Sequence, residues 1–190
     1  MGRWKPDARA RLEKAALALY RDRGFAQTTV ADIAERAGLT ERTFFRYFAD
    51  KREVLFSGGE VLKQQLVIAL HDAPKSLAAI DAVGVAVEGI AGFFEGRRDH
   101  ARKRQAVIDE NMELQERERI KLASLATALT AGLRARGVRE PAASLAAEMG
   151  VTVFRVSFDR WLGDKRERTF AKVVAESLDE LKAVSAGKIK

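Results

Sequence analysis

The chain has 190 residues, no cysteine, 47% hydrophobic residues and a formal net charge of +7 from 34 Lys/Arg against 27 Asp/Glu. That size and apolar content suffice for a buried core in one domain or two small ones. The lack of cysteine excludes disulfides and thiolate metal sites. The most apolar run, Leu66 to Leu70, is far too short to span a bilayer, so no membrane partner and a cytoplasmic location are expected. Residues 1–53 hold 12 Lys/Arg and 8 Asp/Glu, a net of +4, while the much longer remainder nets only +3. A basic N-terminal quarter suits a polyanion such as DNA, although charge alone is more simply explained by solubility.

In chain order the apolar residues recur at helical spacing, with no sustained alternation of the kind a strand requires. The expected fold is all-α, with about nine helices at residues 7–23, 30–37, 41–47, 51–71, 76–96, 101–109, 112–136, 142–162 and 167–185. Pro6, Pro74 and Pro141 stand at or just before helix starts, where the missing N–H costs nothing.

In the first helix Leu12, Ala15, Ala16, Leu19 and Tyr20 form one apolar face. Gly24 ends it, and Phe25 is placed to fold back on it. Thr29 with Asp32 three residues on makes a capping box, after which Val30, Ile33, Ala34 and Ala37 share a face until Gly38 stops the helix. Thr40 caps the next helix, in which Phe44 and Phe48, four apart, face inward. Asp50 and Glu53 form a further capping signal. Two short helices hinged at a glycine and followed by a capped third have the layout of a helix-turn-helix.

From Ile33 to Phe56 the phrase IAERAGLT, then TFFRYF, Lys51 and Leu55-Phe56, resembles the TetR family of bacterial one-component regulators. Arg42 departs from the glycine common there, and Phe44-Phe45 from the frequent Leu-Tyr. The resemblance implies a helix-turn-helix DNA-binding domain over 1–53 and a larger antiparallel helical bundle for ligand binding and dimerisation over 54–190. It implies a repressor that binds a palindromic double-stranded operator as a homodimer and is released by a small-molecule effector.

The resemblance and the helix geometry together point to Thr40, Arg42, Thr43, Arg46 and Tyr47 on the reading helix. Arg42 suits the O6/N7 edge of guanine. Phe45 matches a family position that lies on DNA, where it would pack on a thymine methyl; a buried Phe45 would be core. Tyr47 and Lys51 match family positions that clamp phosphates, and Thr28 or Thr29 is expected to do likewise. Arg3, Trp4 and Lys5 form either a minor-groove arm or a frayed end.

In the bundle, Gly58-Gly59 is either a hinge or the site of a close helix crossing. Gly89, Gly92 and Gly96 share one expected helix face around Phe93-Phe94. Together with Met112, Phe154, Phe158 and Trp161 they line an apolar pocket or fill an ordinary core. Arg155 pairs with Asp159 or orients a polar group of the effector. The phrases ERERIKLASL and FDRWLGD are similar to those of family members with an apolar pocket, which implies a hydrophobic or acyl-type effector. Leu145, Met149, Val153, Val156, Val174, Leu178 and Leu181 lie on the two helices that the family uses to dimerise, or complete the monomer's own core.

No cofactor or metal is expected. His71 and His100 stand outside any metal-binding spacing, and no nucleophile-base constellation supports an enzyme. A helical adaptor for protein partners is the remaining alternative.

Overall fold

The structure, a computed structural model, describes residues 7–166 and 168–188. The expected arm at Arg3, Trp4 and Lys5 lies outside these residues, as does Glu167. Regular structure among the described residues is helical: α1 (Ala8–Arg23), α2 (Val30–Arg36), α3 (Glu41–Tyr47), α4 (Gly59–Asp72), α5 (Ala79–Gly89), α6 (Arg98–Asp109), α7 (Met112–Ala135), α8 (Ala142–Gly163) and α9 (Phe170–Ser185). Two short 3₁₀ turns, Glu53–Phe56 and Ala91–Phe94, complete it.

The chain forms two compact units. The first holds the residues up to Gly58 together with His100–Glu118; the second holds Gly59–Asp99 and the residues from Arg119 on.

In the first unit, α1 buries the expected Leu12, Ala15, Ala16, Leu19 and Tyr20. Gly24 adopts φ +86°, and the Phe25 ring returns to meet Tyr20 edge-on, 5.1 Å between centroids. Both halves of the capping box form at α2: the Thr29 N–H donates to Asp32 Oδ2 at 2.8 Å and the Asp32 N–H to Thr29 Oγ1 at 3.1 Å. Gly38, at φ +62°, turns the chain, and Thr40 Oγ1 accepts the Thr43 N–H at 3.2 Å to start α3. Phe44 and Phe48 are buried as expected. Each such ring contributes about 1.5–3 kcal/mol by leaving water. Val107, Ile108 and Leu114, at the corner between α6 and α7, join this same core, which three N-terminal helices alone do not account for.

The expected helix over 51–71 is two pieces. Asp50 Oδ1 accepts the Arg52 N–H at 2.8 Å and the Glu53 N–H at 3.2 Å, which tightens Glu53–Phe56 into a 3₁₀ turn, and α4 starts afresh at Gly59. A Cβ on Gly59 would meet nothing within 4 Å, so no close crossing demands a glycine there.

In the second unit α5 is the central element. Gly84 leaves no room for a Cβ beside the Leu178 side chain of α9, and Gly150 of α8 leaves none beside the Val83 side chain, so each glycine lets a side chain from the facing helix pack directly on its backbone. The expected helix over 76–96 ends at Gly89; Gly92 lies in a 3₁₀ turn and Gly96 turns the chain at φ +67°. These three glycines therefore do not share a helix face. The C-terminus of α4 is closed by Arg136, whose guanidinium donates to the carbonyls of Leu70 at 3.0 Å, Ala73 at 2.8 Å and Pro74 at 2.7 Å, satisfying oxygens that a helix end leaves unpaired.

Candidate nucleic-acid interface

Helix α3 anchors itself by Phe44, fully buried, and presents its other side to solvent. Thr40, Arg42, Phe45 and Arg46 are exposed and Thr43 is half-buried. Phe45 is 55% exposed and Tyr47 39%, values that place both rings outside the core. Both rings lie on the same helix as the exposed Arg42 and Arg46. The Arg46 guanidinium stacks 5.0 Å from the Tyr47 ring centroid and donates to Tyr47 Oη at 3.2 Å, so charge and phenol form one unit at the C-terminal end of the helix. At the other end Thr40 Oγ1 and Thr43 Oγ1 are 3.1 Å apart. Arg42 stands between them on the outer face.

Thr29 is exposed at the start of α2, where its hydroxyl also donates to Asp32 Oδ2 at 2.6 Å. That hydroxyl first, and the Thr29 N–H second, hold the Asp32 carboxyl below the usual carboxylate range.

Two of the expected phosphate contacts face inward. Thr28 is buried, its Oγ1 donating to the Gly24 carbonyl at 2.8 Å, because the hydroxyl completes the turn that leaves α1. The Lys51 Nζ donates to the carbonyls of Phe25 and Thr28, each at 2.9 Å, and lies 4.4 Å from the Phe25 ring centroid. Helix α3 thus brings Thr40, Arg42, Thr43, Phe45, Arg46 and Tyr47 together, with Thr29 on the neighbouring helix, and leaves Thr28 and Lys51 within the frame.

Several framework groups escape a reading of the sequence because their partners are distant in the chain. Arg11 donates to the carbonyls of Ala37 and Gly38. The Tyr20 hydroxyl donates to the Lys51 carbonyl at 2.6 Å; burial first, and the nearby Asp50 charge second, push its pKa far up. Asp50 is held below the usual carboxylate range chiefly by the Arg52 guanidinium, 2.7 Å away. Arg104 lays its guanidinium 4.9 Å from the Phe56 ring centroid and donates to the Leu55 carbonyl at 2.6 Å.

In the second unit Phe94 is the hub of an aromatic cluster, with ring centroids of Phe154 at 6.1 Å, Phe158 at 5.5 Å, Trp161 at 5.8 Å and Phe170 at 4.7 Å. Phe93 meets Phe94 at 5.2 Å. Of the expected pocket residues Met112 is not part of this cluster: it is 80% exposed at the first turn of α7, in the other unit. Arg155 is exposed on α8. Phe170, which the sequence did not single out, is the ring nearest Phe94. Ser157, one residue before Phe158, is buried in α8 and its Oγ has no hydrogen-bond partner among the described residues. A separate shallow apolar groove lies along Ile80, Met149, Leu181, Lys182, Ser185 and Ala186.

Among the described residues no three His, Asp or Glu side chains gather to hold a metal, and no helix is long and apolar enough to cross a membrane.

Residues 12–57 match the family described as bacterial regulatory proteins, tetR family. MftR of Mycobacterium tuberculosis, named as a candidate mycofactocin biosynthesis transcriptional regulator, is 30% identical over 115 residues, which are 60% of this chain and 58% of MftR. The chain thus spans little more than half the length of that relative. Across the whole fold the chain is similar to the SmeT–triclosan complex, with a TM-score of 0.64 at 18% identity over 93% of this chain and 90% of SmeT. It is also similar to FadR of Bacillus subtilis in complex with stearoyl-CoA, with a TM-score of 0.56 at 21% identity over 90% and 96% of the two chains.

Proposed function

From a chain that belongs, through residues 12–57, to the tetR family of bacterial regulatory proteins, we propose a transcriptional repressor that binds a pseudo-palindromic DNA operator as a homodimer and is released by a small apolar effector. The observation that carries the reading is α3: a helix capped at Thr40, fixed by Phe44, with Arg42, Phe45, Arg46 and Tyr47 on its open face. Arg42 reads a guanine edge, Phe45 packs on a thymine methyl, and Tyr47 and Thr29 hold phosphates. In this reading the basic head is the DNA-binding domain and the bundle takes the effector and the second protomer.

The dimer rests on a division along α8 and α9. Val153, Val174 and Leu178 are buried in the monomer, whereas Leu145 is 56% exposed and Met149 and Val156 each 37%. These three exposed residues follow one another at positions four and seven apart, a stripe along α8 that a second copy would cover. Two-fold symmetry then sets two α3 helices against two half-sites. A DNA-bound regulator of this kind works in the cytoplasm.

The effector reading rests on the aromatic cluster around Phe94, on the unpaired Ser157 hydroxyl within the same bundle, and on the ligands named for the similar SmeT and FadR structures, triclosan and stearoyl-CoA. Selection of bound fragments from genomic DNA, followed by gel shift across a salt series, tests the proposal. It expects a recurrent two-fold sequence bound in a strongly salt-dependent way; a protein that retains no fragment is not this regulator, and the adaptor reading takes its place. Release of the selected fragment by long-chain acyl compounds tests the effector.

A further inference from the structure

Beside the apolar stripe of Leu145, Met149 and Val156, helix α8 carries two charges on one flank, Glu148 and Arg155, both exposed. Seven residues bring them to within about 20° of each other around the helix and set them about 10 Å apart along it. Neither makes a hydrogen bond or an ion pair among the described residues. Elsewhere in this unit opposite charges meet within the chain: Arg160 with Glu180 at 2.9 Å, Arg168 with Asp164 at 3.1 Å and Lys182 with Asp81 at 2.5 Å.

Helix α9 offers no second stripe. Among the described residues its one large exposed apolar side chain is Val184, in the last turn, and Lys172, Asp179, Glu180 and Lys182 are exposed along the rest. An apolar face that needs cover in a two-fold dimer therefore sets α8 against the α8 of the second copy. A two-fold axis perpendicular to the helix runs the two copies antiparallel and turns the same flank of each to the same side. Residues equally far from the axis then face each other. With the axis level with Val151 and Thr152, close to the middle of the stripe, Glu148 faces the partner's Arg155, and the pair forms twice.

We propose that Glu148 and Arg155 form a reciprocal ion pair between two copies of this chain, which fixes the register of the α8 interface and selects a second identical copy over other partners. The inference rests on the homodimer of the proposed function. Burial of the stripe supplies the strength of the contact, and the flanking charges supply its alignment, as they do beside the apolar seam of a coiled coil. A slip of four residues in one direction sets Glu148 opposite Asp159, two like charges, and leaves Arg155 opposite Thr152. A partner with the wrong charge at either position is rejected in the same way.

The test is made on the full chain without DNA. Glu148→Arg alone sets arginine against arginine at both pairs, and Arg155→Glu alone sets glutamate against glutamate. Each should raise the dimer dissociation constant in sedimentation about tenfold or more, because like charges juxtaposed across an interface repel. Mixed in equal amounts, the two variants restore both pairs in a heterodimer, which native mass spectrometry distinguishes by mass from either homodimer. The heterodimer should be the main dimeric species, with a dissociation constant within about threefold of the wild type, since the two changes compensate. A chain with both substitutions should recover likewise. Circular dichroism verifies that each variant is folded; Glu148→Lys with Arg155→Asp repeats the exchange if one is not.

Single variants that dimerise like the wild type place both charges outside the interface and overturn the inference. Single variants that dissociate without rescuing each other overturn it too, and fit charges engaged within their own chain, such as Arg155 with Asp159 one turn on. A wild-type protein that sediments as a monomer defeats the homodimer itself, and the ion pair falls with it.

Discussion

Gly150 of α8 lies against Val83 of α5 with no space for a Cβ between them. The Val83 side chain packs directly on the α8 backbone, in the space that a side chain at position 150 would take. Gly150→Ala must push Val83 or the helix aside, an overpacking that costs about 1–3 kcal/mol. Gly59→Ala, where a Cβ meets nothing within 4 Å, should be neutral or stabilise by up to about 1 kcal/mol through helix propensity. Denaturant midpoints of the two variants check the contrast; a silent Gly150→Ala would remove the close approach from the account of the bundle.

The capping box of α2 links stability to acid. Thr29→Ala removes the oxygen that accepts the Asp32 N–H and should cost about 1 kcal/mol. Asp32 is held below its ordinary value near 3.8 by the Thr29 hydroxyl. A group depressed in the folded state contributes fully above its unfolded pKa and loses that contribution as pH falls through the folded value. The wild-type advantage over Thr29→Ala in thermal melts should therefore hold at neutral pH and shrink below about pH 4; an advantage that grows on acidification would contradict the box.

Tyr20 behaves in the opposite sense. Its hydroxyl, buried and donating to the Lys51 carbonyl, has a pKa pushed above the ordinary value near 10, so its contribution is complete below pH 10 and is lost as pH rises toward the folded value. Tyr20→Phe should cost about 1 kcal/mol at neutral pH, and the gap between variant and wild type should close above pH 10. Denaturation at pH 8 and pH 11 measures it, and a constant gap would mean that the phenol is not the linked group.

How much of this was legible in the sequence follows the range of the interactions. The boundaries of α3, the Thr29–Asp32 box, the Gly24 and Gly38 stops and the inward Phe44 and Phe48 are decided within a few residues of themselves, and the structure has them as expected. The break between Glu53–Phe56 and α4, and the end of α5 at Gly89, were not, because a helical apolar pattern continues through both and only the backbone departs from it. The inward turn of Lys51 was equally hidden: its partners Phe25 and Thr28 lie more than 20 residues upstream, and the motif alone makes it a surface cation. Arginines deceive in the same way. Arg11, Arg104 and Arg136 spend their guanidinium donors on carbonyls of Ala37, Leu55 and Leu70, so a share of the basic excess that points to a polyanion is used inside the fold.

The exposed stripe on α8 makes the dimer testable. Leu145→Glu with Val156→Asp places two charges on a face that carries none of the monomer's core, so the chain should stay folded while its sedimentation shifts to that of a monomer. Binding to the selected duplex should fall by far more than to a single half-site, since the second head is lost. A double variant that still sediments as a dimer would assign the interface to another face.

In the proposed complex α3 enters a major groove with Arg42 at a guanine edge. Dimethyl sulfate protection of the selected duplex reads this directly, because the reagent attacks guanine N7 on the floor of that groove. Wild-type protein should shield a guanine N7 in each half-site, and Arg42→Ala should leave those positions reactive while still binding the duplex. A bound duplex with every guanine N7 as reactive as in free DNA would contradict it.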